Sequence, residues 1–232
     1  TVPDSTTGGD ALEILARHGL TGEIAPEVLA VLTDVAAGRA ADTPKADDPA
    51  FADTRTVLVG TNLQALLAAR DKARELGYEA LVLTSRLTGE AREMAKLFGG
   101  LARDIAAHGL PLSRPACVIA GGESTVTLRG TGQGGRNQEM ALAFLADLGR
   151  GGERAGQTVF LAAATDGTDG PTDAAGAFAT TAILDRGRAL GLEPDHFLAA
   201  NDALHYFEAV GGLLVTGPTN TNVCDIMVLL AP

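Results

Sequence analysis

Short β-branched runs alternate with longer helical patterns from position 56 onward, and this alternation constrains the fold more than any other feature. The runs at 56–59 and 80–85 are followed by apolar residues at helical spacing, over 62–77 and 89–109. Strands and helices that alternate with short joints are typical of a parallel sheet with helices on its faces. The pattern predicts that 56–59 and 80–85 are parallel neighbours in a doubly wound α/β domain.

The later part of the chain predicts a mixed sheet. The runs at 116–120 and 125–129 lie too close together for a helical crossover, so we expect them to pair as an antiparallel hairpin. The break at 113–115 is the candidate domain boundary. Further helices are predicted at 9–18, 24–37, 136–149, 174–190 and 195–210, and further strands at 158–165, 213–217 and 224–230.

Composition narrows the partners that the protein can have. A formal net charge of −11 argues against the basic surface that nucleic-acid backbones require, so no nucleic-acid partner is expected. Cys117 and Cys224 lie in separate apolar runs and do not cluster with the histidines, which argues against a zinc site. No apolar stretch reaches the ~18 residues of a membrane span. The chain begins TVPDSTT, without an initiator Met, which is typical of the inside of a longer protein.

A glycine-dense segment, GTGQGG at 130–135, follows a predicted strand and precedes a helix that begins near Arg136. Its GxGxxG spacing matches a dinucleotide-binding fingerprint. However, the strand before it is predicted to belong to a hairpin, and Asp166 follows too late to bind a ribose. Glycines and a helix N-terminus can also hold an anion, and Arg136 could clamp phosphate oxygens. Judged by spacing alone, a solvated helix start explains the same residues equally well.

Other loops follow predicted strands, at the ends where open α/β sheets bind ligands. Asp166 and Asp169 in TDGTDGPTD could hold Mg²⁺ with waters or hydrogen-bond a polyol, and an ordinary Asx-turn loop is the alternative. The segment Gly121–Gly122–Glu123–Ser124 could present N–H groups and a carboxylate to a ligand, with a plain hairpin turn as the alternative. Asn201 also lies in a polar stretch near a strand end, where it could cap a helix instead of binding a ligand.

Three segments together resemble the C-terminal MOFRL domain of class II glycerate kinases, which are also named hydroxypyruvate reductases of tartrate catabolism. They are GGESTVTLRGTGQGGRNQEMAL, ATDGTDGPTDAAGA and NDALHYFEAVGGLLVTGPTNTNVCDIMVLL. Residues 1–112 resemble the latter part of the family's N-terminal domain. The resemblance therefore implies a partial, Rossmann-like parallel-sheet domain over 1–112, a mixed-sheet α/β domain over 115–232, and a site in the cleft between them.

The activity that the resemblance implies is ATP-dependent phosphorylation of D-glycerate to 2-phosphoglycerate, with Mg²⁺, in the cytoplasm. Arg136 falls on the family's proposed catalytic arginine, in GGRNQE. The family's catalytic lysine has no counterpart in this sequence, so the chain alone is expected to be inactive. A hydroxypyruvate reductase and a non-catalytic small-molecule-binding domain are the alternatives.

These observations define one set of candidate site residues. Arg136 is the catalytic candidate, and we expect its guanidinium to point into the cleft and not to serve a structural ion pair. Asp166 and Asp169 are expected to line the same cleft. No metal ligands are assigned, and a homo-oligomer is left open. The candidate substrate- and nucleotide-binding residues are Gly121, Gly122, Glu123, Gly132, Gly134, Gly135, Asn137, Glu139, Asp166, Asp169 and Asn201.

Overall fold

The computed structural model describes residues 2–150 and 157–232. The chain divides into two compact units, Thr1–Leu58 and Val59–Pro232. None of the helices in the described ranges is long and apolar enough to span a membrane.

The first unit contains two helices, α1 (Gly8–Arg17) and α2 (Pro26–Ala36), and a 3-10 turn at Pro49–Phe51. α1 begins at a capping box, in which the Thr7 hydroxyl accepts a hydrogen bond from the N–H of Asp10 and the Asp10 carboxylate accepts one from the N–H of Thr7. α2 begins with a proline, whose missing N–H costs nothing at a helix start. Both helices predicted in this part of the chain are confirmed.

The strand predicted at 56–59 is absent. Val57, Leu58 and Val59 are 62%, 81% and 94% exposed, and the run has no regular secondary structure. A strand needs a neighbour to pair with its N–H and C=O groups, and no strand within the described residues pairs with this run. The predicted parallel pairing of 56–59 with 80–85 is therefore wrong, because a local apolar pattern does not supply the neighbour.

The second unit alternates helices and strands, and the helices predicted at 62–77, 89–109 and 136–149 are confirmed to within a few residues. Its elements are α3 (Asn62–Glu75), β1 (Glu79–Leu87), α4 (Ala91–His108), β2 (Ala116–Gly122), α5 (Arg136–Arg150), β3 (Val159–Ala164), β4 (Gly176–Thr180), α6 (Thr181–Ala189), α7 (Pro194–Ala200), α8 (Ala203–Val210), β5 (Leu213–Leu214) and β6 (Asp225–Ala231).

One mixed sheet runs through the second unit, with the strand order β1-β2-β6-β3-β4-β5. β1 and β2 are parallel, with Ala80 opposite Cys117. The other neighbouring pairs are antiparallel. The predicted α/β class with parallel and mixed pairing is confirmed.

The hairpin predicted between 116–120 and 125–129 is wrong, although the first run does form β2. β2 pairs with β1 on one side and with β6 on the other, so it has no free edge for the second run. Thr125 instead forms an isolated bridge with Glu90, just before α4, and the residues after it have no regular structure.

Two predicted helices are interrupted. Within 174–190, Gly176–Thr180 forms β4, because hydrogen bonding to β3 overrides the local helical spacing. Within 195–210, the chain breaks at Asn201, whose φ of 53° is left-handed and ends α7. The strand predicted at 213–217 shortens to the two residues of β5.

Hydrophobic side chains cover both faces of the sheet. β6 shows this clearly, because successive side chains of a strand point to opposite faces. Met227 and Leu229 are part of the larger core, which includes residues of α4 and α5, whereas Ile226 and Val228 pack against the smaller cluster around Leu66 of α3. α5 thus packs on one face of the sheet.

The predicted division into 1–112 and 115–232 stays a prediction, since it follows the resemblance to a family. The compact units divide at a different place, after Leu58. The reason is that β1 is hydrogen-bonded to β2 within the same sheet, so the segment 113–115 connects two parts of one packed body.

Candidate functional site

The candidate site lies where three strands end at one edge of the sheet. β1, β2 and β3 run in the same direction, so their carboxyl ends meet there, and β6 begins at that edge because it runs the opposite way. Glu123 follows β2, Asp225 begins β6 and Arg136 begins α5. Ligands of open α/β sheets bind at such an edge.

Arg136 is held by two carboxylates. Its Nε and Nη2 donate to Oδ2 and Oδ1 of Asp225 over 2.6 and 2.9 Å, and Oε1 of Glu123 lies 3.3 Å from Nη2. The side chain of Asp225 is 0% exposed and that of Arg136 is 31% exposed. The hydrogen bonds to Asp225 raise the pKa of Arg136 above its ordinary value, against the opposing effect of burial. The prediction that Arg136 takes no part in a structural ion pair is therefore wrong, since it neutralises a buried carboxylate.

Asp169 caps the first turn of α5. Its carboxylate is 1% exposed and accepts hydrogen bonds from the backbone N–H groups of Asn137 and Gln138, over 3.0 and 2.8 Å. The side-chain amide of Asn137 donates to the same carboxylate over 3.2 Å. Burial raises the pKa of Asp169, and these hydrogen bonds offset only part of the effect. Two of the helix N–H groups that were candidates for an anion, those of Asn137 and Gln138, are therefore occupied.

Asp166 is held within its own loop. Its Oδ1 accepts from the N–H of Thr168 over 3.0 Å, and its Oδ2 accepts from the side-chain amide of Asn222 over 3.1 Å. This is the Asx-turn alternative for the acidic loop. Among the described residues, no group of three His, Cys, Asp or Glu side chains is placed to hold a metal ion.

The glycines of the segment 130–135 make room for the protein's own backbone. A Cβ on Gly130 would lie 2.2 Å from the carbonyl oxygen of Ala200, and a Cβ on Gly135 would lie 2.3 Å from Cγ of Asp169. A side chain would not fit at either place without moving the backbone. The glycine density, which suggested close approach to a ligand, thus serves packing against the junction of α7 and α8 and against the acidic loop.

Glu139 and Asn201 form a buried network that fastens the same segment. Nη2 of Arg92 donates to Oε1 of Glu139 over 2.7 Å, and Nδ2 of Asn201 donates to Oε2 over 2.9 Å. Oδ1 of Asn201 accepts from the N–H groups of Arg129 and Gly130, over 2.7 and 3.0 Å. Glu139 is 3% and Asn201 is 5% exposed, so most of their polar atoms are engaged inside the protein.

Gly121 and Gly122 end β2 in close contact with neighbouring groups. A Cβ on Gly121 would lie 2.2 Å from Oδ1 of Asn62. Gly122 has a φ of 148°, and a Cβ there would lie 2.2 Å from the carbonyl oxygen of Leu87. Both glycines are therefore explained by the packing of the strand end.

A cleft of about 430 Å³ opens beside the start of α5, and the residues that line it all belong to the second compact unit. Its position between the predicted domains stays untested. Arg136 lines the cleft, and within the described chain no hydrogen bond uses its Nη1. The predicted site residues that line it are Gly132, Gly134, Gly135, Arg136, Glu139 and Asn201, whereas Gly121, Gly122, Glu123, Asn137, Asp166 and Asp169 do not.

Neither Asp166 nor Asp169 lines this cleft, because the Asp169 carboxylate is buried against the start of α5 and the Asp166 carboxylate is bound within its own loop. Their expected place in a cleft between the two predicted domains stays a prediction. Sequence reasoning also missed more than half of the lining. One signal was available: Ser124 is the last residue of the candidate segment Gly121–Gly122–Glu123–Ser124, but it was assigned no role of its own. The missed residues are Ser124, Thr125, Val126, Leu128, Gly170, Pro171 and Ala203.

The sequence of the chain is similar to those of known proteins. Residues 116–225 match the MOFRL family. The chain is 34% identical, over 97% of its length, to a D-glycerate 2-kinase of Thermotoga maritima, of which it covers 50%. It is 41% identical, over 99% of its length, to a protein of Agrobacterium vitis with the provisional name hydroxypyruvate reductase, again covering 50%. The chain thus spans about half the length of these curated relatives.

Solved structures agree with the sequence comparison. The crystal structure of a glycerate kinase from Thermotoga maritima matches with a TM-score of 0.77 and 34% identity, over 99% of this chain and 51% of that one. A protein of Pyrococcus horikoshii matches with a TM-score of 0.71 and 33% identity, over 100% of this chain and 51% of that one. Because the identity accompanies the structural match, the likeness extends beyond a shared fold.

Proposed function

Residues 116–225 belong to the MOFRL family, and on that premise we propose that the protein phosphorylates D-glycerate. In detail, the γ-phosphoryl group of ATP is transferred to the 2-hydroxyl, which gives 2-phosphoglycerate, and the site is the cleft beside α5. The observation that carries the proposal is similarity along nearly the whole chain to proteins named as glycerate kinases. The place of Arg136 in the lining supports the choice of cleft.

Arg136 is suited to orient an oxygen-rich substrate more than to attract it by charge. Two carboxylates, Asp225 and Glu123, face its single guanidinium, so its positive charge is compensated locally. The two hydrogen bonds to Asp225 fix the plane of the guanidinium and leave Nη1 to donate to a phosphoryl or carboxylate oxygen. A donor fixed in advance needs no reorganisation during the reaction, which is how such groups stabilise a transition state.

ATP and Mg²⁺ are the co-substrate and the metal that this reaction implies. The described residues do not fit a Mg²⁺ site built by the protein alone, because Asp169 caps α5 and Asp166 is bound within its loop. Proteins that act on nucleotides commonly hold Mg²⁺ through the substrate phosphates and one or two carboxylates. The role of Arg136 proposed above does not depend on the metal.

The test is phosphorus NMR of the complete protein with ATP and D-glycerate, in which 2-phosphoglycerate and ADP should appear together. Arg136→Lys should lower kcat by about 10³-fold or more, since a lysine cannot pair with Asp225 in two places and also donate to the substrate. Arg114→Lys changes an exposed arginine outside the cleft and is the matched control. D-glycerate left unphosphorylated by the folded, complete protein would contradict the proposal.

A hydroxypyruvate reductase, with a place in tartrate catabolism, is a second candidate because a relative with 41% identity carries that name. Two contacts oppose it. Gly130 packs against Ala200, and Asp169 occupies two N–H groups at the start of α5, so this GxGxxG segment offers little room to a pyrophosphate. Oxidation of NADH or NADPH with hydroxypyruvate, measured beside ATP consumption with D-glycerate, decides between the two activities.

Activity of the complete protein and of this chain are separate questions. We propose that this chain alone is inactive, because the family's catalytic lysine has no counterpart in it. Turnover of D-glycerate by the 232-residue chain would contradict this, whereas binding without turnover would favour a role in binding only. A cytoplasmic location, where ATP is available, is part of the same proposal and agrees with the free thiols of Cys117 and Cys224.

A further inference from the structure

We propose that the hydroxyl of Ser124 binds D-glycerate in the cleft, which makes Ser124 a substrate-binding residue. This inference rests on the proposed function and adds a contact to it. Ser124 comes directly after Glu123, at the end of β2, and lines the same cleft as Arg136. Neither the family match nor the names of the relatives assign a role to it.

The observation that carries the inference is a buried hydroxyl without a partner. Ser124 is 3% exposed, and its Oγ has no hydrogen-bond partner among the described residues. Buried side-chain hydroxyls almost always have a partner, because an unsatisfied one destabilises the folded state. An unpartnered hydroxyl in the wall of a cleft therefore points to a partner that arrives with a ligand.

Among the residues that line the cleft, Ser124 is the one with a buried polar side-chain atom that lacks a partner within the described chain. Glu139 pairs with Arg92 and Asn201, and the Asn201 side chain holds the glycine-rich segment. Arg136 keeps its Nη1 unused within the described chain. The cleft therefore offers a hydroxyl from Ser124 and a donor from Arg136 without breaking any of these contacts.

This pair of groups fits a small hydroxy acid better than a polyphosphate. A serine hydroxyl can donate to a carboxylate oxygen and accept from a substrate hydroxyl, and D-glycerate carries both groups. A polyphosphate is bound by cationic side chains and by helix N–H groups, and at the start of α5 the N–H groups of Asn137 and Gln138 are occupied by Asp169. Ser124 is therefore assigned to the hydroxy acid and not to the nucleotide.

The experiment is calorimetric titration of the complete protein and of Ser124→Ala, each with D-glycerate and separately with a non-hydrolysable ATP analogue. We expect D-glycerate to bind the variant about tenfold more weakly, as the loss of one buried hydrogen bond implies. The ATP analogue should bind Ser124→Ala and the wild type with equal affinity. The melting temperature of Ser124→Ala should be equal or higher, because the removed hydroxyl satisfies no partner in the folded protein. Ser113→Ala, at an exposed serine outside the cleft, should match the wild type in each measurement.

The outcomes separate this inference from the proposed function. Equal D-glycerate affinity in wild type and Ser124→Ala overturns the role of Ser124 and leaves the proposed kinase activity standing. Weaker binding of the nucleotide alone, or a lower melting temperature together with weaker binding of both ligands, also overturns it. A wild-type protein that binds no D-glycerate overturns both.

Discussion

The sequence predicts ligand binding for both the segment 130–136 and the loop 166–173, yet the two contribute differently to the cleft. The segment lines the cleft with three glycines and Arg136. The loop contributes Gly170 and Pro171 to the lining, while its buried carboxylate, Asp169, is turned to the backbone of α5. One forms the surface that a ligand would meet, and the other supports that surface from behind.

A related difference separates two buried carboxylates at this edge of the sheet. Asp169 and Asp225 are both buried at the start of α5, but Asp169 accepts backbone N–H groups and Asp225 accepts the guanidinium of Arg136. The first arrangement fixes a helix, and the second fixes a side chain that lines the cleft. The residue type and its position relative to a strand do not distinguish these two uses. They are distinguished by the group that donates to the carboxylate, a backbone N–H or a guanidinium.

The largest effect is expected when Arg136 is removed, because this leaves the fully buried Asp225 without its counter-ion. Arg136→Ala should lower the free energy of unfolding by about 3–5 kcal/mol. Asp225→Asn should cost less, since the freed guanidinium is already 31% exposed and can be hydrated. Urea unfolding of both variants and of the double variant measures the coupling between them. Unchanged stability in Arg136→Ala would mean that Arg136 has no structural role. The segment 130–136 would then only line the cleft, and it would differ still more from the loop 166–173.

A medium effect is expected from the glycines of the segment. A Cβ on Gly132 would lie 2.4 Å from Cβ of Asp202, so Gly132→Ala should destabilise the protein by about 1–3 kcal/mol through overpacking. Gly100→Ala is the matched control, because Gly100 lies within α4 with no atom within 4 Å of its added Cβ. That variant should gain about 0.5–1 kcal/mol. Equal effects of the two substitutions, measured by denaturant unfolding, would show that the segment is loosely packed.

The smallest effect concerns the loop and depends on pH. Burial raises the pKa of Asp169 above its ordinary value of 3.8, so the folded state keeps the proton to higher pH than the unfolded state does. The stability that Asp169 contributes is therefore greatest below that value and is lost as the pH rises through the raised pKa. Asp169→Asn does not titrate at this position. The unfolding free energy of the wild type minus that of the variant should fall over this window, by about 1.4 kcal/mol for each pH unit that separates the two pKa values.

Denaturant unfolding of both proteins at a series of pH values, starting near 3.8, checks this expectation. A difference that stays constant, or that grows with pH, would mean that the hydrogen bonds from α5 outweigh burial. Asp169 would then be an ordinary helix cap that is most stabilising when ionised. Its carboxylate would differ less from that of Asp225, which is paired with a cation.

Local signals in the sequence predicted the helices up to α5 well, because caps and apolar spacing act within a few residues, whereas the helices predicted at 174–190 and 195–210 are interrupted. α1 with its capping box and α4 with Gly109 after its end are examples. The strands at 56–59 and 125–129 were wrong because pairing depends on distant strands. β2 is occupied by β6, which comes more than a hundred residues later.

The same distinction applies to the site. The glycine-rich segment and the helix start at Arg136 were located from the sequence, and both border the cleft. The partner of Arg136 was not, because Asp225 is 89 residues away along the chain. Ser124 was part of a candidate segment but was assigned no role of its own, because its lack of a hydrogen-bond partner among the described residues is visible only in the packed structure.

The position of β6 has a consequence for the order in which the sheet can assemble during synthesis. β6 is the last of these six strands along the chain, yet it lies between β2 and β3 and pairs with both. Until it arrives, the pair β1–β2 and the group β3–β4–β5 have no strand to join them, and the open edges of β2 and β3 can pair with other chains. Completion of the sheet therefore depends on contacts far apart in sequence, which form slowly. The nascent sheet is most exposed to aggregation in the interval just before β6 is released.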